Sequence, residues 1–199
     1  MDYVTGTSRQ LGGTLMRDLG SYRHQVFVDH LGWTLPDAAR DAEWDRFDRA
    51  DTIYVLALDV EGKITGCARL LPTTKPYLLS VVFPQLGGEE PLPMSPTVWE
   101  LSRFAAFDLT GPPAVGHTLG SPQALQLLRV AREEAGDRGA ERLVSVSPVA
   151  IERILRRARC PYRRMASPQL VDGHLLFACE MPTASSVAAE HLEALSLTA

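Results

Sequence analysis

The segment Trp99-Glu-Leu-Ser-Arg-Phe104 places an acid and a base, Glu100 and Arg103, inside an apolar, aromatic run that is typical of a buried strand. Ionised side chains in such a strand are costly unless they meet partners or a ligand. The upstream acidic segment Asp41-Ala-Glu-Trp-Asp-Arg-Phe-Asp48 supplies suitable partners. Together the two segments predict a charged cleft that binds a polar small molecule.

The spacing of Glu100 and Arg103 also makes a geometric prediction. In a regular strand these two side chains point to opposite faces of the sheet, because side chains alternate. Either the two groups serve two faces, or a β-bulge between them turns one side chain round. We favour the bulge, since bulges recur next to active sites.

Outward from this strand, the sequence predicts an α/β domain. Apolar residues at helical spacing predict a helix over 11–28, and two apolar runs around Glu61-Gly-Lys63 predict a β-hairpin. Ser121 and Pro122 are good residues to start a helix, and Gly139 is a good residue to end it. The predicted elements are a helix (11–28), a hairpin (53–60 and 64–71), a strand (98–107), a helix (122–138), a strand (143–146), a helix (151–158) and a strand (174–181).

Length and composition bound the class of protein. A chain of 199 residues that is 45% hydrophobic predicts a single domain over 1–199, whose Ala/Ser-rich end, 183–199, we expect to fray or to form a short helix. Three widely spaced cysteines indicate neither a disulfide framework nor a zinc site, and the histidines lack metal-ligand spacing. The net charge of −4 argues against nucleic-acid binding. With no secretory signal and no long apolar run, we expect a cytoplasmic protein without membrane insertion or a bound metal.

Five blocks of sequence carry a resemblance to a known family. They are Tyr22-Arg-His-Gln-Val-Phe-Val28 with Leu31-Gly-Trp33, Glu43-Trp-Asp-Arg-Phe-Asp48, Gly66-Cys-Ala-Arg-Leu-Leu-Pro-Thr73, Phe83-Pro84 and Trp99-Glu-Leu-Ser-Arg-Phe104. In this order, over roughly residues 20 to 110, the chain resembles the acyl-homoserine-lactone synthases of quorum-sensing bacteria. The resemblance implies a GNAT-like three-layer fold, in which helices flank a mixed central sheet and a cleft opens between splayed central strands.

The resemblance also implies a reaction. These synthases transfer an acyl chain from acyl carrier protein to the amine of S-adenosylmethionine, then close the product to a lactone and release methylthioadenosine. S-adenosylmethionine is therefore expected as a consumed substrate, with no separate cofactor. General likeness to synthases of medium-chain signals suggests an octanoyl chain.

Two other functions are compatible with the sequence. One is an ordinary GNAT N-acyltransferase that uses acyl-coenzyme A, although Gly116-His-Thr-Leu-Gly-Ser-Pro122 lacks the Gly-rich phosphate-binding motif of that class. The other is a non-catalytic GNAT-like binding protein, which would not need so many buried ionisable groups.

Site residues follow from the matched positions. Glu100 is the first candidate for the base that takes the amine's proton, and Arg23 or Arg103 suits the substrate carboxylate. The charged residues are alternatively a purely structural ion-pair network. The resemblance implies catalytic roles for Glu100, Arg103, Asp45, Asp48, Arg23 and Arg69, and S-adenosylmethionine contacts for Arg23, Phe27, Trp33, Asp45, Arg103 and Phe104.

The acyl chain and its carrier need surfaces of their own. We expect an acyl pocket between the strands 98–107 and 143–146, with Ser145 and Ser147 near the chain's third carbon. Residues 138–164 hold eight arginines and two glutamates, a local net charge of +6 that is either a solvated surface or a docking site for an acidic partner. Predicted pocket residues are Val98, Leu125, Leu128, Val146, Ser147 and Ile151, and predicted docking residues for acyl carrier protein are Arg153, Arg156 and Arg157.

Overall fold

The computed structural model describes residues 1–34, 39–109 and 121–186. Its strands, in chain order, are β1 (Asp2–Gly6), β2 (Ile53–Leu58), β3 (Ile64–Pro72), β4 (Val98–Ala105), β5 (Arg142–Pro148), β6 (Arg163–Arg164), β7 (Gln169–Val171) and β8 (His174–Pro182). Its helices are α1 (Ser8–Arg23), which continues as a π-helix (His24–His30), α2 (Leu78–Val81), α3 (Pro122–Asp137) and α4 (Glu152–Arg157), with short 3-10 turns at Pro84–Gly87 and Val149–Ile151.

One mixed sheet runs through the molecule in the order β1-β2-β3-β4-β5-β8-β6, and β7 pairs with β8. All neighbouring strands are antiparallel except β4 and β5, whose parallel pairing covers only Val98 to Glu100 against Arg142 to Val144. Beyond those three pairs the two strands separate, so the sheet opens into a cleft at its centre. The predicted mixed sheet with a cleft between splayed central strands is confirmed.

Helices cover both faces of the sheet. The inward residues of α3 and α4 pack with alternate residues of the strands, such as Leu70, Leu101 and Phe177, to form the largest apolar cluster. On the opposite face, α1 and the π-helix cover β2 and β3, whereas α2 and the following turn cover β3, β4 and β5. The chain therefore has the three layers that the resemblance implies.

The bulge predicted in the central strand is confirmed. Arg69 pairs with Ser102 and Cys67 pairs with Ala105. Between these two pairs β4 has two residues where β3 has one, which is the extra residue of a β-bulge. Arg103, inside the bulge, has a φ of 49°, in the left-handed region that non-glycine residues seldom occupy. As a result Arg103 lies on the same face as Ser102, while Phe104 packs towards α3 with Leu101.

The predicted hairpin and all three predicted helices are present, although the ends of some elements differ from the prediction. The first helix begins at Ser8, because Thr7 accepts a hydrogen bond from the Gln10 N–H as its N-cap. Three short strands, β1, β6 and β7, were not expected from the sequence. In the predicted terminal segment 183–199, residues 187–199 lie outside the described residues.

Neither a membrane span nor a metal cluster is found in the described ranges. No helix there is long and apolar enough to cross a membrane, and no group of three or more His, Cys, Asp and Glu side chains is placed to hold a metal ion. Cys67, Cys160 and Cys179 are buried and free.

Candidate active site

Six charged side chains meet on the face of the sheet that α1 covers. We call them the ion-pair cluster: Arg23, Glu43, Asp45, Asp48, Arg69 and Arg103. They come from the end of α1, the loop before β2, β3 and the bulge of β4. The loop is fixed to α1 by a hydrogen bond from the Glu43 N–H to the Gly20 carbonyl, 3.0 Å long, and Trp44 packs directly against Gly20.

Arg23 joins two of the carboxylates. Its Nε donates to Glu43 Oε2 at 2.5 Å, and its two Nη atoms donate to the two oxygens of Asp48 at 2.8 and 3.1 Å. The guanidinium also lies over the Trp44 ring, 5.0 Å from the centroid. Since Arg23 is only 1% exposed, these contacts replace its hydration completely.

Asp45 is bound by the other two arginines. Arg69 donates to both Asp45 oxygens at 2.6 and 3.0 Å, and its Nε donates to Ser102 Oγ at 3.0 Å. Arg103 Nη2 donates to Asp45 Oδ2 and to Glu43 Oε1, each at 2.9 Å. Three arginines and three carboxylates thus balance in charge, and each carboxylate accepts from a guanidinium.

The cluster favours the ionised form of Glu43 and Asp48. Burial alone would raise the pKa of Glu43, but the hydrogen bond from Arg103 and the charges of Arg23 and Arg103 outweigh it and lower the pKa. For Asp48, burial is likewise outweighed by the charges of Arg23 and Arg69, so its pKa falls well below the usual range. Tyr54 donates to Asp48 Oδ1 at 3.1 Å, and burial is the main reason that the pKa of this phenol is raised.

An aromatic pair flanks the most accessible arginine of the cluster. The Phe27 and Trp33 rings stack with centroids 4.9 Å apart, and the Arg103 guanidinium lies 5.5 and 5.9 Å from them. Arg103 is 7% exposed, against 1% for Arg23 and Arg69. The wide turns of the π-helix carry Phe27 and place Trp33 beyond it, through a hydrogen bond from the Trp33 N–H to the Phe27 carbonyl.

Glu100 lies on the same face but makes none of these ion pairs. Its oxygens accept hydrogen bonds from the Leu78 and Leu79 N–H groups, at 2.8 and 2.7 Å, and it is completely buried. Burial raises the pKa of Glu100 to about 7, and the two N–H bonds offset only part of that rise. The structure therefore brings together five of the six predicted catalytic residues and holds Glu100 apart at the first turn of α2.

The opposite face of the splayed strands holds an apolar cavity, with an empty volume of about 310 Å³ that includes its open mouth. Predicted residues Leu128, Ser147 and Ile151 line it, and Ser145 and Ser147 lie on its wall with their hydroxyls 3.2 Å apart. Val98 and Val146 instead belong to the apolar cluster on the other face, and Leu125 packs at the margin of the main core. The remaining lining residues are Leu101, Phe104, Ile154, Leu155, Cys179 and Met181. Phe104, predicted to touch S-adenosylmethionine, is therefore placed at this cavity.

The three predicted docking arginines are exposed on α4, whose Ile154 and Leu155 are buried. Arg156 donates to Glu152 at 3.0 Å, whereas Arg153 and Arg157 have no acidic partner among the residues that the structure describes.

Sequence reasoning omitted some members of the site. Glu43, 0% exposed, belongs to the acidic segment but is not among the predicted site residues, although it links Arg23 to Arg103. Ser102 and Tyr54 also bind the cluster. The signal for Glu43 was available, because it lies two residues before Asp45 in the same matched block.

Comparison with known proteins identifies the family. The model of the family described as "Autoinducer synthase" matches residues 9–191. The chain belongs to the autoinducer synthase family. It is an acyltransferase that makes acyl-homoserine lactones, as its curated relatives do.

Relatives of the synthase extend over almost its whole length. An acyl-homoserine-lactone synthase from Acinetobacter nosocomialis is 44% identical over 90% of this chain and 98% of its own. The crystal structure of TofI in a ternary complex with an inhibitor and MTA is 40% identical, covers 94% of this chain and 97% of its own, and has a TM-score of 0.78. The structure of BjaI, described as a CoA-dependent acyl-homoserine lactone synthase with SAM and isopentyl-CoA, is 26% identical, covers 96% and 87%, and has a TM-score of 0.76.

The GNAT-like fold class is confirmed by a more distant likeness. An N-acetyltransferase described as putative, from Lactobacillus plantarum, is 17% identical over 92% of this chain and 97% of its own, with a TM-score of 0.60. At this identity the likeness concerns the fold alone.

Proposed function

We propose that the synthase joins a medium-length acyl chain, octanoyl in the first instance, from acyl carrier protein to the amine of S-adenosylmethionine in the cytoplasm. The observation that carries this proposal is that the two faces of β4 have different surroundings, one charged and one apolar. Arg103 faces the ion-pair cluster, whereas Leu101 and Phe104 line the apolar cavity on the other face. A polar amino-acid substrate and an apolar chain can therefore approach the same strand from two sides.

The S-adenosylmethionine end is assigned to Arg103 and the aromatic pair. Arg103 is the arginine of the cluster closest to solvent, so its guanidinium suits the substrate's α-carboxylate. Phe27 and Trp33 suit the sulfonium or the adenine, through cation–π contact or stacking. Arg23, Arg69 and Asp48 then act as positioning residues, because they fix Asp45 and Glu43, which in turn hold Arg103.

The acyl end is assigned to the cleft between β4 and β5. After Glu100, β4 has no ladder with β5, so its backbone on that side is available to an extended thioester arm. Backbone N–H groups near the bulge at Arg103 suit the negative charge that develops on the thioester oxygen. The apolar walls then receive the chain.

Two bonds form and two break in the proposed reaction. The amine nitrogen attacks the thioester carbon, forming an amide as the carbon–sulfur bond breaks, and the amine's proton passes through the base to the departing carrier thiolate. The α-carboxylate oxygen then attacks the γ-carbon, closing the lactone as the sulfonium bond breaks and methylthioadenosine leaves. S-adenosylmethionine is thus consumed as a substrate, and no cofactor is required.

Glu100 is the proposed acceptor of the amine's proton, directly or through one water. A pKa of about 7 matches a base that works near neutral pH, and the Leu78 and Leu79 N–H groups fix its orientation.

The three buried free thiols are consistent with the proposed location in a reducing cytoplasm.

The experiment must distinguish between two acyl donors, acyl carrier protein and coenzyme A, because BjaI is described as a coenzyme A-dependent synthase. The purified enzyme is incubated with S-adenosylmethionine and either octanoyl carrier protein or octanoyl-coenzyme A, and lactone and methylthioadenosine are measured by mass spectrometry. We expect both products with the carrier donor. Absence of methylthioadenosine with both donors would refute the proposed reaction, and product with octanoyl-coenzyme A alone would refute the carrier.

Charge reversal tests the carrier surface. In the double variant Arg153→Glu and Arg157→Glu, we expect KM for octanoyl carrier protein to rise about tenfold or more, while KM for S-adenosylmethionine stays unchanged. Equal changes in both constants would argue against docking on α4.

A further inference from the structure

Two leucines are exposed side by side on the β7–β8 hairpin. Leu170 and Leu175 are cross-strand partners and are 74% and 50% exposed. Most of Leu170 and half of Leu175 therefore lie outside the core. An exposed apolar pair of this kind is typical of a contact with another molecule.

The pair lies on the same face as α4. Along β8, Phe177 and Cys179 pack into the core that α3 and α4 cover, and Leu175 shares their face because side chains alternate along a strand. Leu170 lies directly opposite Leu175 and therefore shares it too.

The pair also lies at the open end of the cleft. Pro148, the last residue of β5, pairs with Leu176 of β8, next to Leu175. The parallel pairing of β4 and β5 is at the other end of β5, from Arg142 to Val144. The cleft thus opens towards the end of the sheet where the two leucines lie.

Arginines adjoin the pair on this face. Arg164 lies over the Phe177 ring at 5.7 Å, two residues along β8 from Leu175. It donates to the buried carboxylate of Glu152 at 2.6 and 2.8 Å, and Arg156 donates to the same group. Glu152 therefore satisfies two arginines. Arg153, Arg157 and Arg159 have no acidic partner in the described part of the chain, which leaves an excess of positive charge on the surface.

We propose that Leu170, Leu175 and the arginines of α4 form one docking surface for acyl carrier protein, with the two leucines at its apolar contact. This inference rests on the proposed function and adds the hairpin to the surface. The unpaired arginines select an acidic partner and speed its encounter. The leucines supply the dehydrated contact that most of the affinity of such interfaces depends on.

The position of the surface fits delivery of the donor. A carrier bound there lies at the open end of the cleft, from which its flexible thioester arm reaches the cavity that Ser147 and Ile151 line. Docking at the far end of the sheet would require the arm to pass the closed part of the β4–β5 ladder.

The test replaces both leucines in the full chain, Leu170→Ser with Leu175→Ser. We expect KM for octanoyl carrier protein to rise about tenfold, with KM for S-adenosylmethionine and turnover of octanoyl-pantetheine unchanged. The matched control is Met94→Ser, because Met94 is 81% exposed but precedes β4, at the closed end of the cleft. It should leave KM for the carrier unchanged.

Direct titration of the carrier onto the enzyme, without turnover, is the second measurement. A weaker Kd in the leucine variant, by the same factor, supports the surface even if the chemistry fails for another reason. An unchanged Kd overturns the inference, as does a parent enzyme that makes lactone from octanoyl-coenzyme A but binds no carrier. Loss of self-association, or of binding to anionic phospholipid vesicles, without any change in carrier affinity would also overturn it.

Discussion

Buried carboxylates occur in two regions of one sheet face, and their pKa values are shifted in opposite directions. Glu43 and Asp48 in the ion-pair cluster have lowered pKa values, whereas the pKa of Glu100 is raised to about 7. All three side chains are almost or completely out of water. The difference is the partner, because guanidinium groups bind Glu43 and Asp48, whereas the hydrogen-bond partners of Glu100 among the described residues are two backbone N–H groups.

The contrast separates two uses of a buried acid. A carboxylate paired with arginine stays ionised and fixes geometry, so it is a poor proton acceptor near neutral pH. A carboxylate held by neutral donors keeps a pKa close to the working pH, and it can both release and accept a proton. Changing the partners of either group should therefore alter stability in one region and activity in the other.

Removal of Arg23 should give the largest loss of stability. Arg23→Ala leaves Glu43 and Asp48 buried without one of their guanidinium partners, and we expect a loss of about 3–5 kcal/mol in the free energy of unfolding. Urea denaturation measures it. As a control, Arg129→Ala removes an exposed arginine that pairs with Glu133 and should change stability by less than about 0.5 kcal/mol. Similar losses in both variants would show that the cluster is no more than a surface network.

Replacement of Glu100 should act mainly on turnover. Glu100→Gln removes the proposed proton acceptor, and we expect kcat with the proposed acyl-carrier donor to fall about a hundredfold or more. KM for S-adenosylmethionine should change little. Steady-state kinetics decide the point, since kcat within a few-fold of the parent would exclude Glu100 as the base.

The pH dependence of stability should have opposite signs for the two regions. The folded-state pKa of Glu100 is raised from 4.5 to about 7, so the free energy of unfolding should fall by about 3 kcal/mol as pH rises from 4.5 to 7. The pKa values of Glu43 and Asp48 are lowered, so the stability they contribute is complete above their ordinary pKa values and is lost as pH falls below them.

Denaturation of the parent and of Glu100→Gln across pH 3 to 8 separates these contributions. We expect the variant to lose the decline between pH 4.5 and 7 and to keep the acid limb. A decline that persists in the variant would assign it to another group.

A smaller effect should come from the contact that fixes the loop to α1. A Cβ on Gly20 would lie 2.8–2.9 Å from atoms of the Trp44 indole, so Gly20→Ala displaces the loop that carries Glu43 and Asp45. We expect a loss of about 1–3 kcal/mol in stability, because the crowded site must shift, together with a higher KM for S-adenosylmethionine. Gly13→Ala follows the kink at Gly12 in α1, would meet nothing within 4 Å, and should change stability by less than about 1 kcal/mol. Equal behaviour of the two variants would contradict this role for Gly20.

Much of the architecture could be predicted from local patterns in the sequence. The apolar runs and the Gly-containing turn predicted the hairpin of β2 and β3, and the N-cap at Ser121 predicted α3. The short strands β1, β6 and β7 were missed because two to five residues are too few to show a clear periodicity, and they pair only once the sheet exists.

The sequence predicted which charged residues meet at the site, but not all of their hydrogen-bond partners. The charged residues around Arg103 were expected to meet, and they do. The isolation of Glu100 was not, because its partners are backbone N–H groups of α2, which no sequence pattern distinguishes. Similarly, the sequence did not show which face of the sheet Val98 and Val146 occupy. That face depends on the register of the strands, because a shift of one residue turns a side chain to the other face.

The extra residue in the bulge of β4 also limits how the chain can vary in length. Deleting one residue between Ser102 and Ala105 would restore an even pleat against β3. The side chain left between these two residues would then point to the face that holds the apolar cavity. Insertions and deletions during divergence should therefore avoid this strand and accumulate in segments such as residues 88–96, where no helix or strand is interrupted.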